Sequence, residues 1–485
     1  MSTKEELIAE RSKKRDALRS AGHDPYPTTV VRTHDNQTVI QEMESLVASE
    51  TAITIAGRVM AMRQHGSIAF LDLYDGTGRV QAFFSREVLD TEIFDLLVNT
   101  VESGDFIETT GVMFVTKRET RALRVTSWRM LTKALQPIPS EHFGIKDEDE
   151  RYRKRYLDIL LSEEVRAIAI TRAKFWQAVR QFHIDHGFLE VHTPTLEVTT
   201  GGGDARPFAT HHHALDMDVY LRISAGELWQ KRLMVAGFPK TFEVGRIFRN
   251  EGMSAEHAQE YEQCEAYWAY ANYQQMYQFL KDCYQYVAQE TFGTLQFTIR
   301  GFEIDLGGEW PVIDYATVVR EKTGIDIWSA SAEAMTDRLR ELGVTFAGAE
   351  NRERLIDALW KYCRKQIAGP AILVNEPTLL SPLAKKQADD RVVERFHFII
   401  AGSEVGQGYS ELNDPADQRE RFLAQQAMRD AGDEEAQMAD MEFVEALEYG
   451  MPPTSGHGFS ERLLAFLMDK PIREIQLFPL MRPRE

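Results

Sequence analysis

Five short β-rich runs separated by turn signals lie between residues 51 and 135, and they restrict this part of the chain to a small all-β domain. The runs are Ile53–Val59, Ser67–Leu73, Arg79–Phe84, Asp105–Val115 and Leu123–Leu131. The second and third are separated by Tyr74–Gly78, which contains an Asp-Gly pair, a strong hairpin signal. Five short strands in succession predict a closed barrel of the oligonucleotide-binding (OB) type.

Barrels of this type hold single-stranded bases by stacking them on exposed aromatic side chains in a groove. Phe70 in the second run and Gln81 in the third are therefore candidate base contacts. The alternative, that Phe70 faces the core of the barrel, is equally compatible with the sequence. Both interpretations stay open at this point.

The composition limits the classes of function. The balance of 56 Lys+Arg against 75 Asp+Glu gives a net charge of −19, which argues against a nonspecific coat for nucleic acid or membrane. The cysteines, Cys264, Cys283 and Cys363, show no zinc-type spacing and no disulfide framework. The sequence lacks the apolar runs of a signal peptide or a membrane span. We therefore expect a cytoplasmic protein with no membrane partner.

A chain of 485 residues is too long for one hydrophobic core, and its pattern changes along its length. We expect a helix and connector over residues 1–50, the barrel over 51–140 and a larger domain over 141–485. The larger domain begins with a helical pattern over Glu163–His186, which Gly187 ends, and strand and helix patterns then alternate. Around 311–395 we expect a mostly helical insertion.

The run Phe242–Glu251 ends in an arginine and a glutamate that suit ATP. Apolar residues alternate along Phe242–Phe248, which predicts a strand. The planar guanidinium of Arg249 can hold a phosphate with two hydrogen bonds, and the carboxylate of Glu251 can accept one from an exocyclic amine such as that of adenine. Taken alone, the segment is also typical of a surface strand with an Arg-Glu pair.

Three motifs, in order along the chain, resemble the signature motifs of class II aminoacyl-tRNA synthetases. They are the helix-Gly-strand-Pro segment at 187–196, Phe248–Glu251, and the glycine-containing Gly456–Arg462. Further segments are similar to lysyl-tRNA synthetases within that class: Phe143–Asp147, Arg151–Asp158, Gly201–Phe208, Ser381–Lys385 and, above all, Gly408–Asp414. The likeness extends over nearly the whole chain at similar spacing.

The resemblance implies an α+β fold, with a class II catalytic domain built on an antiparallel sheet flanked by helices and an N-terminal OB-type barrel that binds the tRNA anticodon. It implies ATP-dependent ligation of L-lysine to tRNA(Lys) through an enzyme-bound lysyl-adenylate, with AMP and pyrophosphate as products. It also implies a homodimer that pairs through the segment at 187–196.

The family's contacts to ATP and metal match positions of this chain. Arg249 matches the arginine at the α-phosphate and Arg462 the one at the γ-phosphate, and both would offset charge that builds up as pyrophosphate leaves. The full ATP-binding set is Arg249, Glu251, His257, Tyr261, Glu404 and Arg462. Glu404 and Glu411 match acids that hold Mg²⁺, a cation that prefers oxygen ligands.

The family's lysine contacts match a set rich in acids. The set is Gly202, Glu227, Glu265, Tyr267, Gln407, Tyr409 and Glu411. An alkylammonium group is costly to remove from water unless acidic and hydroxyl groups surround it. An enclosed pocket of this kind would therefore reject uncharged analogues strongly.

The chain departs from the family pattern in several places. His397 stands where a second acidic metal ligand is expected, and a neutral imidazole is a poor ligand for Mg²⁺. The glycine motif is shifted by one residue relative to Arg462, which predicts a local rearrangement such as a bulge. Glu256 replaces a more basic residue after the second motif, and Ala122 stands where an acidic anticodon contact is expected.

Two other functions stay open. A synthetase of the same class for aspartate or asparagine would need a cation or amide partners in its pocket, which three glutamates do not supply. A catalytically silent tRNA-binding or regulatory paralogue is compatible with His397 and with the shifted glycine motif. Pyrophosphate exchange that depends on the amino acid distinguishes these functions.

Overall fold

The computed structural model describes residues 3–116, 119–139, 144–203, 205–252, 254–346, 351–432 and 436–484. They form two compact units, Met1–Leu161 and Ser162–Glu485. Phe143 and Asp204, which belong to two of the motifs above, lie outside the described residues. The segment limits at residues 50 and 140 stay predictions.

Among the residues described for the first unit, five strands close into a barrel in the order β1-β2-β3-β5-β4. The strands are β1 (Ala52–His65), β2 (Ile68–Tyr74), β3 (Arg79–Ser85), β4 (Phe106–Val115) and β5 (Arg121–Thr132). The helices are α1 (Lys4–Ser20), α2 (Asn36–Gln41), α3 (Met43–Ser49), α4 (Thr91–Thr100), α5 (Glu148–Arg153) and α6 (Arg155–Leu161). The prediction of an OB-type barrel is confirmed.

Burial alternates along β2, and this alternation decides the orientation of Phe70. Ala69, Leu71 and Leu73 are fully buried in the barrel core, whereas Phe70 is half-buried on the opposite face of the strand. Successive side chains of a strand point to opposite faces. The interpretation that places Phe70 in the barrel core is therefore wrong.

Among the residues described for the second unit, eight strands form a largely antiparallel sheet in the order β14-β15-β16-β17-β18-β11-β10-β6. They are β6 (Leu189–Glu190), β10 (Lys240–Phe248), β11 (Glu260–Ala269), β14 (Val312–Asp314), β15 (Ala371–Val374), β16 (Arg395–Ile400), β17 (Ser403–Ser410) and β18 (Thr454–Ser460). Two smaller sheets contain β7 (Leu196–Glu197), β8 (Ala209–His212) and β9 (Met217–Leu221), and β12 (Gln296–Ile299) and β13 (Phe302–Asp305).

Helices pack on this sheet through large apolar side chains. Phe182 of α7 and Phe279 of α9 share one core with Phe242 of β10. The helices are α7 (Glu163–Asp185), α8 (Glu227–Val235), α9 (Tyr273–Phe292), α10 (Tyr315–Thr323), α11 (Ala332–Glu341), α12 (Arg352–Arg364), α13 (Pro415–Asp430), α14 (Met441–Glu448), α15 (Arg462–Leu467) and α16 (Ile472–Ile475). An α+β domain with an antiparallel sheet flanked by helices is confirmed. No helix in the described parts of the chain combines the length and apolar character that crossing a bilayer requires.

The segment predicted as a helical insertion also contains strands. Helices α10, α11 and α12 pack around Leu355, Leu359 and Trp360. Strands β14 and β15 pair with each other, and β15 pairs with β16, so both belong to the main sheet. The segment thus brings α12 to the same sheet that carries β16 and β17.

Candidate active site

A cavity of about 250 Å³ in the second unit is lined by three glutamates. Glu227 is the first residue of α8, Glu265 lies in β11, and Glu411 follows the last residue of β17. Their exposed fractions are 5%, 3% and 2%. Carboxylates buried this deeply are stable only where cations or hydrogen-bond donors replace their lost hydration, so their partners define the chemistry of the cavity.

Glycines leave room for these side chains. A Cβ atom at Gly456 of β18 would lie 2.6 Å from Glu411 Oε1 and 2.5 Å from Tyr267 Cε1. At Gly202, whose φ is 85°, a Cβ atom would lie 2.5 Å from Ser224 Oγ. A side chain at either position would have to displace the groups that line the cavity.

Glu265 accepts hydrogen bonds from the protein around it. The backbone N–H of Ala225 donates to Oε1 at 3.0 Å, the amide of Gln263 donates to the same oxygen, and Tyr267 Oη donates to Oε2 at 3.2 Å. Burial and the nearby charge of Glu227 nevertheless raise the pKa of Glu265. A ligand cation that pairs with Glu265 would lower this pKa again.

Lys231, which the sequence analysis did not single out, lies between the other two glutamates. Its Nζ is 2.7 Å from Glu227 Oε1, 2.6 Å from Glu411 Oε2 and 5.3 Å from the ring centre of Tyr409. Burial alone would lower the pKa of Lys231, but the two carboxylates outweigh burial and raise it. Lys231 is therefore charged at neutral pH. The sequence signal for this pair was the spacing of Glu227 and Lys231 on α8, four residues apart on one helix face.

The glutamates outnumber the lysine, so negative charge is in excess where Lys231 lies. In a medium of low dielectric constant this excess favours a ligand with ammonium groups over one with a side-chain carboxylate. Arg249 lines the same cavity and suits a carboxylate or phosphate group of the ligand. The seven residues predicted to bind lysine all line this cavity: Gly202, Glu227, Glu265, Tyr267, Gln407, Tyr409 and Glu411.

A second cavity, of about 230 Å³, shares part of its wall with the first. Both cavities are lined by Arg249, Glu404 and His397. The second cavity is also lined by Tyr261 and Arg462, which do not line the first. The guanidinium of Arg249 lies 6.0 Å from the ring centre of Tyr261, and its Nε donates to the carbonyl of Ile223 at 3.2 Å. Two arginines beside an aromatic ring suit the phosphates and base of a nucleotide.

The surface Arg-Glu pair that the sequence left open is present, but it consists of other residues. Arg246 of β10 and Glu260 of β11 are diagonal neighbours, since Arg246 lies opposite Glu262, and their half-exposed side chains are ion-paired. Arg249 instead lines the two cavities. Arg246 is thus the surface arginine of this segment, and Arg249, three residues later and just after β10, is the arginine that suits ATP.

Arg462 is the first residue of α15 and is separated from the end of β18 by Glu461 alone. The pairing of β18 with β11 and with β17 runs in register without a bulge, so the rearrangement expected from the shifted glycine motif does not occur in this strand. Glu256, one of the departures from the family pattern, lies near Arg462, with Oε2 3.6 Å from Arg462 Nη1, and pairs with Arg300 at 2.6 Å.

Two of the predicted ATP contacts lie apart from the second cavity. Glu251 lines a different, larger cavity of about 1230 Å³ together with Arg206 and Lys361. His257 Nδ1 is 2.7 Å from Ser254 Oγ, and burial together with the charge of Arg462 lowers the pKa of His257. The structure therefore groups Arg249, Tyr261, Glu404 and Arg462 but leaves these two residues outside that group.

The two predicted metal ligands, Glu404 and Glu411, have different partners in the structure, and Mg²⁺ on either of them stays a prediction. Glu404 is the second residue of β17 and Glu411 follows its last residue, so the extended strand separates them by roughly 20 Å. Glu411 pairs with Lys231, whereas Glu404 Oε1 accepts from Trp360 Nε1 at 2.6 Å and lies 3.2 Å from Arg364 Nη1. In the described ranges of the chain, no group of three or more His, Cys, Asp or Glu side chains is placed to hold a metal ion.

Phe70, one of the two candidate base contacts, belongs to a cluster of aromatic rings on the outer face of the barrel. The ring centres of Phe70 and Phe83 are 5.1 Å apart, and those of Phe83 and Phe114 are 5.4 Å apart. Gln81 donates to Asp72 Oδ1 at 3.2 Å across the neighbouring strand pair. The fully buried Ala122 offers this face no acidic group.

Comparisons with known proteins agree with this architecture. Residues 147–482 match the family model of tRNA synthetases class II (D, K and N), and residues 53–131 match that of the OB-fold nucleic acid binding domain. A lysine-tRNA ligase of Thermotoga maritima is 40% identical over 487 residues, which cover 99% of this chain and 97% of that protein. One of Bacillus subtilis is 40% identical over 484 residues, with 98% and 97% covered. The chain therefore belongs to the class II tRNA synthetases of the D, K and N group.

Proposed function

We propose that this chain is a lysine-tRNA ligase that activates L-lysine with ATP and transfers it to tRNA(Lys). The observation that carries the proposal is the acid-lined cavity around Lys231, which shares the wall formed by Arg249 with a second cavity lined by Arg462. The first suits an amino acid with a side-chain ammonium group and the second suits a nucleotide. The full-length relatives named lysine-tRNA ligase point to the same reaction.

The shared wall explains how the two substrates would react. An oxygen of the lysine carboxylate attacks the α-phosphorus of ATP, the bond to the β-phosphate oxygen breaks, and pyrophosphate leaves with that electron pair. Arg249 would hold the α-phosphate and Arg462 the departing end, where negative charge increases. A ribose hydroxyl at the end of the tRNA then attacks the carbonyl of the adenylate, and AMP leaves.

Positioning carries most of the rate in such a reaction, since no side chain needs to form a covalent bond to the substrate. Glu227, Glu265 and Glu411 would fix the ammonium groups, and the hydroxyl groups of Tyr267 and Tyr409 would complete the enclosure. Enzymes of this class use ATP with a divalent metal ion, and we propose that the ion here is Mg²⁺ that neutralises the ATP phosphates.

The two alternatives have less support. Aspartate would place a further carboxylate beside three buried glutamates, which is electrostatically unfavourable. Asparagine would bring an amide that carries no positive charge, so the negative charge that Lys231 leaves in excess would stay uncompensated. A silent paralogue has no need of Arg249 and Arg462 in the wall of a second cavity next to the amino-acid cavity.

Pyrophosphate exchange with each of the protein amino acids tests the proposal. We expect exchange with lysine and none with aspartate or asparagine. Exchange driven by aspartate would overturn the choice of amino acid. Tight tRNA binding without exchange for any amino acid would favour the silent paralogue.

We further propose that the barrel binds the anticodon, that the enzyme is a homodimer and that it works in the cytoplasm. Apolar side chains near the first motif support the dimer, because Leu189, Leu196 and Val198 are 49%, 51% and 62% exposed. Light scattering after size exclusion tests this point. A dimer that Leu196→Glu converts to monomer is expected, and a monomeric wild-type protein would contradict it.

A further inference from the structure

Glu404 and His397 lie in the wall that the two cavities share. His397 stands where the family pattern has a second acidic metal ligand, so we consider the contacts of both side chains. The side chain of Glu404 is 26% exposed. Its Oε1 atom contacts Trp360 and Arg364, which both belong to α12. Its other oxygen, Oε2, is 3.8 Å from His397 Nδ1. A guanidinium group and an indole N–H thus already compensate this carboxylate within the protein.

The opposite side of the imidazole contacts a second acid that the sequence analysis did not single out. His397 Nε2 is 2.6 Å from Glu376 Oε2, and Arg395 Nε is 3.3 Å from the same oxygen. Glu376 is 7% exposed and His397 is 7% exposed. His397 thus lies between two carboxylates, which is the place that a bridging cation takes in an acidic metal site.

These contacts do not fit a hard divalent cation on Glu404. Mg²⁺ requires near-octahedral oxygen ligands at about 2.0–2.1 Å, and an imidazole is a poor substitute for one of them. To reach Glu404 Oε1 an ion would have to displace the indole N–H of Trp360 and approach the guanidinium of Arg364. The groups that surround Glu404 are a guanidinium, an indole N–H and an imidazole, and none of them offers an oxygen ligand to such an ion.

We infer that His397, together with Arg364, occupies the place of a protein-bound divalent ion in this wall, so that the protein holds no metal of its own on Glu404 and uses the ion that ATP brings. The inference rests on the proposed function, because it concerns the nucleotide site. It assigns His397 and Glu376 a positioning role, since they fix the wall that faces the phosphates.

Counting bound metal ions tests the inference. Mn²⁺ is titrated into the full-length protein in the presence of L-lysine and the non-hydrolysable ATP analogue AMPPCP, and free Mn²⁺ is measured by electron paramagnetic resonance. The wild-type protein should bind about one Mn²⁺ per bound nucleotide, since the triphosphate supplies the ligands. His397→Glu, which introduces a carboxylate between Glu376 and Glu404, should bind at least one more.

His212→Glu is the matched control, because it makes the same substitution at an exposed position of β8 and should leave the count unchanged. More than one Mn²⁺ per nucleotide in the wild-type protein would overturn the inference, and this count needs no variant to fold. An unchanged count in His397→Glu with AMPPCP still bound would overturn it too. If equilibrium dialysis finds no binding of AMPPCP to the wild-type protein, the proposed function itself fails.

Discussion

Lys231 Nζ and Glu411 Oε2 form an ion pair 2.6 Å long whose side chains are 2% and 1% exposed. The second partner of Lys231 is Glu227, which receives a hydrogen bond from Tyr409 Oη as well. Replacing Lys231 by methionine would leave two buried carboxylates without their cation. We expect Lys231→Met to lower the free energy of unfolding by about 3–5 kcal/mol in urea titrations.

Lys174→Met on the exposed face of α7 is the control and should change stability by less than about 0.5 kcal/mol. The double variant Lys231→Met/Glu411→Gln removes one charge of each sign and should regain part of the lost stability. A double variant as unstable as Lys231→Met alone would show that packing, rather than the ion pair, accounts for the loss.

Arg249→Ala should reduce lysine-dependent pyrophosphate exchange by about 10²–10³, because it removes a preorganised cation from the phosphate. Binding of tRNA should stay largely intact. Arg246→Ala, three residues earlier and paired with Glu260 at the surface, is the control and should keep its exchange rate. Equal losses of exchange and tRNA binding in Arg249→Ala would mean that the arginine supports the fold rather than the reaction.

The affinity for lysine should rise with pH in the wild-type protein. Burial and Glu227 raise the pKa of Glu265 in the free protein, and the ligand's ammonium group lowers it on binding, so that binding releases a proton. Affinity is therefore weaker below the raised pKa and increases as the pH approaches it from below. Calorimetry in buffers with different ionisation enthalpies measures the proton release.

Glu265→Gln should remove this pH dependence and raise the KM for lysine far more than that for ATP. The control is Glu260→Gln, an exposed acid on the same strand. Identical pH profiles for the wild-type protein and Glu265→Gln would assign the proton to another group.

We expect the ring cluster on the barrel to contribute to tRNA binding but not to formation of the lysyl-adenylate. Phe70→Ala removes one face from the cluster of Phe70, Phe83 and Phe114. Loss of one stacked base costs about 1–3 kcal/mol, so the KM for tRNA(Lys) should rise by roughly tenfold or more in aminoacylation assays. Pyrophosphate exchange, which needs no tRNA, should not change.

Phe106→Ala is the control, since this half-buried ring packs under Arg58 outside the cluster. A rise in KM for tRNA of the same size in both variants would indicate general damage to the barrel.

Glu197 makes stability depend on pH. Its side chain accepts from Trp229 Nε1 at 3.0 Å, and burial raises its pKa from 4.5 to about 7. A carboxyl group whose pKa is raised on folding favours the folded state below its unfolded pKa, and this contribution is lost as the pH rises towards the folded pKa. Relative to Glu197→Gln, the wild-type protein should lose on the order of 2 kcal/mol between pH 5 and pH 8 in urea titrations. A constant difference across this range would contradict the prediction.

The sequence predicted the elements whose signals are local. Five strand-like runs and the turns between them predicted the barrel. The strand pattern at Phe242–Phe248, followed by Arg249 and Glu251, predicted an arginine that contacts ATP. The seven residues that line the acid-rich cavity were predicted by matching positions to the family, although they come from segments that are far apart in the sequence.

Residues whose partners are distant were missed. Lys231 resembles any cation on an amphipathic helix until β17 brings Glu411 against it, and Glu376 is a single acid in a loop until it meets His397. The metal ligands stay a prediction, because the side chains beside Glu404 come from Trp360, Arg364 and His397, which are distant from one another or from Glu404 in the sequence.

The insertion has a consequence for engineering of this enzyme. Because β15 is hydrogen-bonded to β16, a deletion that shortened the chain between residues 311 and 395 would expose an unsatisfied strand edge beside the nucleotide wall. The same deletion would take away Trp360 and Arg364, which contact Glu404 Oε1, and leave this partly buried carboxylate without its hydrogen-bond donor and its guanidinium partner. A minimal version of this synthetase therefore has to retain the segment, even though its helices have a hydrophobic core of their own.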